Sequence, residues 1–275
     1  QMTFAQAVDI DTTGSLANEG LIRSQADISI RARNIDSNLA SAGGIVTPGQ
    51  LTLHASGSAR LGAQGTFSAG QDMALHAAAG LGSQGTIQAG QALAYSGGIL
   101  ASGGQIAAQG IAIGASLANS GSIYAQDGLS VSGGTSNGGN IAATSIDTAS
   151  AGNSGRIGAQ TIAMGATSNT GEIAGGTVSI SGGLDNGGTV SAIGTLTAGG
   201  GGAIANDGAI AGGSVALSGT SIANGGQIQS GGQLSISGGS FDNRLFETRR
   251  CIAIGGCAAD APQENWQYTQ NPGTV

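Results

Sequence analysis

The chain has 275 residues, 54 of them glycine, and only 8% are charged and 3% aromatic. Its formal net charge is −7, and all eight basic residues are arginines. No basic stripe exists to neutralise phosphates, which argues against nucleic-acid binding and against adhesion to anionic membrane surfaces. No stretch reaches the roughly 18 continuous apolar residues that would insert in a bilayer.

The opening residues, QMTFAQAVDIDTTG, carry no basic segment followed by an apolar one, and so no export signal. They enter a repeat almost at once, with Val8 and Ile10 as an inward pair closed by Leu16. The expectation is a piece cut from a longer array. From Gly20 onwards, a glycine followed two positions later by a large apolar residue recurs twelve times. The series starts Gly20/Ile22, Gly44/Val46, Gly65/Phe67 and ends Gly208/Ile210, Gly226/Ile228, at intervals of 16 to 24 residues that average about 19.

The stretch from Ile204 to Gly226 displays one whole unit: Asn206, a spacer, Gly208, then Ile210, a Gly212-Gly213 pair, Val215 and Leu217, and a closing Ile222 before Asn224 begins the next copy. Asparagine stands two places before the glycine at Asn18 and again at Asn119, Asn137, Asn153, Asn169, Asn186, Asn206 and Asn224. A second apolar pair follows in most copies, such as Leu51/Leu53, Met73/Leu75 and Ile162/Met164. A third, weaker position falls at residues such as Leu61, Leu81, Leu117, Leu184 and Phe241.

Alternation over three to five positions is strand periodicity, and Gly, Asn and Ser between the strands punctuate turns. Two or three short strands per unit cannot close a core alone, whereas stacked units can. The sequence therefore predicts an all-β fold: a parallel β-helix of about 12 coils over residues 1–243, followed by a non-repeat tail over 244–275. At the ordinary strand spacing of about 4.8 Å the rod is about 55–60 Å long. The fixed asparagine corner should stack into an internal amide ladder. Low-complexity Gly/Ser/Ala composition can also signal disorder, but aliphatic residues recurring in register argue for the solenoid.

Along the chain, residues 20–60 are the least regular. They carry Arg23, Arg31, Arg33 and Arg60, the longest interval and an insertion ending near Pro48. The Arg–Asp interleaving reads as a solvated face, with a ligand patch as the other reading. His54 and His76 follow the second apolar pair in successive copies, so their imidazoles share a face. Two histidines with no carboxylate or cysteine beside them make a poor metal site. The second strands near Ile141–Ile146 and Val190–Leu196 depart from the pattern, which predicts bulges or shifted turns. No copy carries the calcium-binding GGxGxD nonapeptide, and no cofactor is called for.

After Asn243 the composition changes. Cys251 and Cys257 flank Gly255-Gly256, which could turn a hairpin and bring the sulfurs within disulfide range. In an exported chain they are expected to bridge and clasp the last coil. A metal site, for which two cysteines are too few, and two reduced thiols are the rival readings. Arg249, Arg250, Trp266 and Tyr268 are residue types that dominate interfaces, so the tail is also a candidate contact surface. Catalysis finds little support. The 15 acidic residues are scattered at about one per coil, and Asp36, Asp127, Asp147, Asp185 and Asp207 sit where aspartate commonly serves turns. Lyase and glycosidase chemistry needs clustered carboxylates or a basic proton acceptor.

The unit N-x-G-x-I, a polar turn and an alternating L-x-L strand resembles the haemagglutinin repeats of filamentous haemagglutinin, found across two-partner secretion exoproteins of Gram-negative bacteria. These include adhesins and contact-dependent growth inhibition proteins. The resemblance covers about residues 14–243. It implies a right-handed β-helical shaft, exported through an outer-membrane pore partner and displayed at the cell surface, with a protein or glycan receptor as a further partner. The function it implies is a rigid stalk in adhesion or cell-cell contact. The alternative is that this segment itself binds the receptor or glycan, through the coils of residues 20–60 or the tail; a carbohydrate-active enzyme is the remote third reading. The family's secretion domain and toxin domain find no counterpart here, and the tail matches neither.

Overall fold

A computed structural model describes residues 2–243 in full, together with the backbone of Leu245–Cys251 and Trp266–Pro272. Among the described residues, 29 strands join in one continuous hydrogen-bonded system, and every ladder in it is parallel. Each strand pairs with its counterpart one repeat away, as in Val8↔Ile28, Ile28↔Leu51, Leu51↔Met73 and Met73↔Leu93. The solenoid has about thirteen turns, one more than the repeat count, because Met2–Phe4, paired with Leu21–Ser24, begins a turn ahead of the first glycine anchor.

Three strand sites per turn enclose the core. The first is a column of large apolar residues from Ile22 through Ile45, Phe67, Ile87 and Ile106 to Ile228, each essentially sealed from solvent. Alternation along each strand sends neighbours outward, so every turn contributes a few side chains to a narrow interior and rests them on the turn below. Fully burying one such isoleucine stabilises by about 1.5–3 kcal/mol. The second site carries pairs such as Leu51/Leu53 and Ile162/Met164, and the third a single residue such as Leu81 or Leu184.

Two positions differ from the sequence expectation. The large inward residue of the third turn is Ile45, not Val46: Ile45 faces both Ile22 and Phe67, and Gly43 stands opposite Gly65. Two adjacent glycines and two adjacent aliphatics left the register ambiguous by one residue, and a one-residue slip exchanges the faces. Leu61 does not sit in the third column. Ala59 takes that place, between Ile35 and Leu81, while Leu61 occupies the corner between Ser37 and Ser83.

The most continuous turns fall in the middle of the chain, where Ser122–Asn137 already runs as one strand of 16 residues. Asn140–Asn153 and Arg156–Asn169 each run as one extended strand around almost a whole turn, because at a 16-residue offset no residues remain to loop out. Register shifts occur where units change length, between Ala125 and Gly128, between Val131 and Gly134, and between Ala192 and Thr195. These are the regions where the second strand departed from the pattern. Thr148 and Ala198 take its inner position there in place of a large aliphatic. The anchor glycine follows from close approach. A Cβ on Gly104, Gly121 or Gly139 would lie within 2.0–2.1 Å of the carbonyl oxygen of the anchor glycine one turn below.

In the tail, Leu245–Cys251 pairs antiparallel with Trp266–Pro272. The Gly255-Gly256 turn and the Cys251–Cys257 bridge expected from the sequence lie outside the described residues.

Candidate functional site

The most organised polar structure is the corner column. By register it reads Asn18, Ser37, Leu61, Ser83, Ser102, then Asn119, Asn137, Asn153, Asn169, Asn186, Asn206, Asn224 and Asn243. From Asn119 upward each side-chain Nδ2 donates to the next asparagine Oδ1 at 2.7–2.8 Å, through all seven steps to Asn243. Most of these Nδ2 groups also donate to two carbonyls. Asn153, for example, reaches Gly155 O at 3.2 Å and Glu172 O at 3.1 Å. Asn169, Asn186 and Asn224 are completely buried. A buried amide is costly to leave unpaired, so one polar residue here fixes the register of every turn it joins. Asn243 closes the ladder, although its sequence context, Arg244 rather than a spacer and glycine, concealed it.

The lower turns solve the corner differently. Ser37 stands at the corner of the second turn, and the following residue, Asn38, takes a left-handed φ of 53° that brings its amide inward. Asn38 Oδ1 accepts from Ser37 Oγ at 2.8 Å and from Asn18 Nδ2 at 3.4 Å, and Asn38 Nδ2 donates to Gly20 O at 3.1 Å. Asparagine tolerates this backbone region better than most residues. The insertion that follows is tied back to Glu19, whose carboxylate accepts from Ser41 Oγ at 2.9 Å and from Ala40 N at 3.2 Å. The Ser41 hydroxyl, followed by the Ala40 amide, holds the Glu19 carboxyl below its ordinary pKa.

On the outer surface, Asp11, Arg31, His54, His76 and Ser96 form one column across successive turns. The His54 and His76 rings stack with centroids 4.5 Å apart and planes within 11°. His76 Nδ1 lies 2.9 Å from Ser96 Oγ. The shallow groove beside them, about 330 Å³, is also lined by Thr52, Leu53, Ala74, Leu75, Ala94 and Tyr95. Burial raises the Tyr95 phenol above its ordinary pKa, and its hydroxyl donates to Gly98 O at 3.0 Å. Among the described residues no three His, Cys, Asp or Glu side chains come together as a metal-binding group. Arg156 and Glu172, one turn apart, form an exposed pair at 3.6 Å that contributes little.

Arg249, Arg250, Trp266 and Tyr268 fall in the tail strands, which the structure describes as backbone. Their register sets Arg249 opposite Tyr268, Arg250 opposite Gln267 and Cys251 opposite Trp266.

The fold and its corner define the chain as a parallel β-solenoid with an internal asparagine ladder. No family model, curated protein or solved structure matches it.

Proposed function

We propose that this chain is a shaft segment of a secreted filamentous exoprotein, a rigid spacer that holds a recognition element away from the bacterial surface. The observation that carries this reading is the unbroken turn-to-turn pairing from Met2, opposite Ile22, to Asn243. The twelve steps between about thirteen turns, at about 4.8 Å each, give a reach of about 58 Å. The asparagine ladder adds directional bonds along the axis, which suits a part whose task is to keep its length. Weak surface charge suits a spacer that should not adhere to membranes or nucleic acid. Export through an outer-membrane pore partner and display at the cell surface rest on the likeness of the repeat unit to haemagglutinin repeats. The role assigned is mechanical and assigns no catalytic residue.

A second reading is that the segment also binds a protein or glycan receptor through its tail. The Leu245–Cys251 and Trp266–Pro272 pairing favours it, because Arg249 and Tyr268 share one register position and Trp266 falls two positions further along, where strand alternation returns to the same face. The test is binding of the purified chain, with and without residues 244–275, to intact bacterial and host cells. The spacer reading predicts no saturable binding by either version. Saturable binding that disappears with the tail replaces it by the second reading. Saturable binding that survives the deletion places a receptor site on the turns themselves and refutes a purely mechanical role.

A further inference from the structure

Ser83 and Ser102 are corner residues, almost fully buried, and neither hydroxyl has a hydrogen-bond partner within the protein. They lie between two closed ends: Leu61 below, which offers no polar atom, and Asn119 above, which begins the amide ladder. The rest of the column defines what this corner requires. Asn119 Nδ2 donates to Gly121 O, Asn137 Oδ1 and Asn140 O. By register the matching acceptors above Ser102 are Gly104 O, Asn119 Oδ1 and Ser122 O, and those above Ser83 are Gly85 O, Ser102 Oγ and Gln105 O. Serine has one proton to donate and a shorter reach than an amide.

The second turn serves as an internal comparison. There a serine also stands at the corner, and the next residue, Asn38, supplies an acceptor for its hydroxyl at 2.8 Å. The residues after Ser83 and Ser102 are Gln84 and Gly103. Glycine has no side chain to offer. The Gln84 amide lies against Gly103, within 2.3–2.6 Å of where a Cβ on that glycine would stand, and Ser83 Oγ receives nothing from it.

We propose that the corner at Ser83 and Ser102 is a built hydration site that binds one ordered water per turn. Each water stands where the asparagine –NH2 stands in the upper turns. It accepts from the serine hydroxyl and donates to the carbonyl of the anchor glycine and to the acceptor one turn above. Replacing an asparagine carboxamide by a hydroxyl removes two heavy atoms, room on the order of one water, and the site supplies the two to four polar partners a buried water needs. Water is favoured over a metal cation because the lining oxygens are all neutral hydroxyl, carbonyl and amide groups. The hydrogen-bonded column then continues from Asn243 down to Ser83 and stops at Leu61.

The experiment uses the whole chain. Magnetic relaxation dispersion of solvent nuclei counts long-lived internal waters, and the count is expected to fall by two in S83N/S102N, whose amides would occupy the sites. An unchanged count overturns the proposal. Thermal melting of S83A/S102A gives an independent reading should the asparagine variant fail to fold. If the hydroxyls hold waters, removing them lowers Tm; if they are dry, removing unsatisfied polar groups leaves Tm unchanged or raises it, and the proposal fails. A Tm increase with Na⁺, K⁺ or Ca²⁺ at constant ionic strength, present in the native chain and absent in S83N/S102N, also overturns it by making the occupant a cation.

Discussion

Replacing Asn169 with leucine cuts the ladder at its centre while keeping the number and branching of the side-chain heavy atoms. Asn169 is fully buried and makes four side-chain bonds. It accepts from Asn153 Nδ2 at 2.8 Å and donates to Asn186 Oδ1 at 2.8 Å, Thr189 O at 3.1 Å and Gly171 O at 3.2 Å. After the change Asn153 Nδ2 keeps its two carbonyl acceptors, and Gly171 O keeps the backbone amide of Thr189 at 2.9 Å. Asn186 Oδ1 loses its donor inside the core. One orphaned buried acceptor costs about 1–3 kcal/mol and each lost neutral hydrogen bond about 0.5–1.5. Better burial of leucine offsets part of this, leaving a loss of about 2–4 kcal/mol. The assay is urea denaturation followed by far-UV circular dichroism. Asn186→Leu should cost a similar amount, and the double variant less than the sum by about 1 kcal/mol or more, because the second change removes the orphan left by the first. Single variants within about 0.5 kcal/mol of the native chain, or strictly additive costs, would refute the coupling of turns through this corner.

Other predictions follow from burial and charge. Ile210→Asp places a carboxylate in the sealed first column and should cost several kcal/mol in the same assay. Ser122→Asp, exposed between Gln105 and Asn140, should stay within about 0.5 kcal/mol. Equal effects would contradict the inside-outside assignment. Because the Glu19 pKa is lowered, its contribution to tying down the insertion is present above the unfolded carboxylate range and is lost as pH falls through the folded value. Carbon-detected NMR titration should find Glu19 below the ordinary glutamate value, and Ser41→Ala should raise it; no response to that change would remove the assigned cause. The raised Tyr95 pKa has the opposite consequence. Its contribution is full below the unfolded phenol range and is lost as pH rises through the folded value. Tyr95→Phe should therefore flatten the alkaline fall in stability, and an identical fall in both proteins would count against it.

Much of this architecture could be read from the sequence because a solenoid repeats its instructions. Eleven of the twelve glycine–apolar anchors place their large residue in one column, and the asparagines two positions earlier fix the corner beside it. Reading failed where the instruction was ambiguous or delivered by a different residue. The adjacent pairs Gly43-Gly44 and Ile45-Val46 allow two registers, and only pairing to Ile22 and Phe67 selects one. Leu61 matches the composition of the third column but sits at the corner, a substitution that spacing alone does not show. Asn38 escaped notice because it serves the corner from one residue further on, through a left-handed backbone. Ser83 and Ser102 resemble ordinary turn serines until their burial is known. Their alignment two residues before Gly85 and Gly104 was the available signal.

The most direct test of a rigid parallel stack is a pair of distances along one outer column. Thr52, Ala112 and Ser235 belong to the same column, with ten steps from Thr52 to Ser235 and seven from Ala112 to Ser235. Spin labels at these positions, in a Cys251→Ser/Cys257→Ser background, can be measured by double electron–electron resonance. At about 4.8 Å per step, narrow distributions centred near about 48 Å and about 34 Å are expected. Broad distributions, or distances that do not scale with the number of turns between the labels, would contradict the shaft.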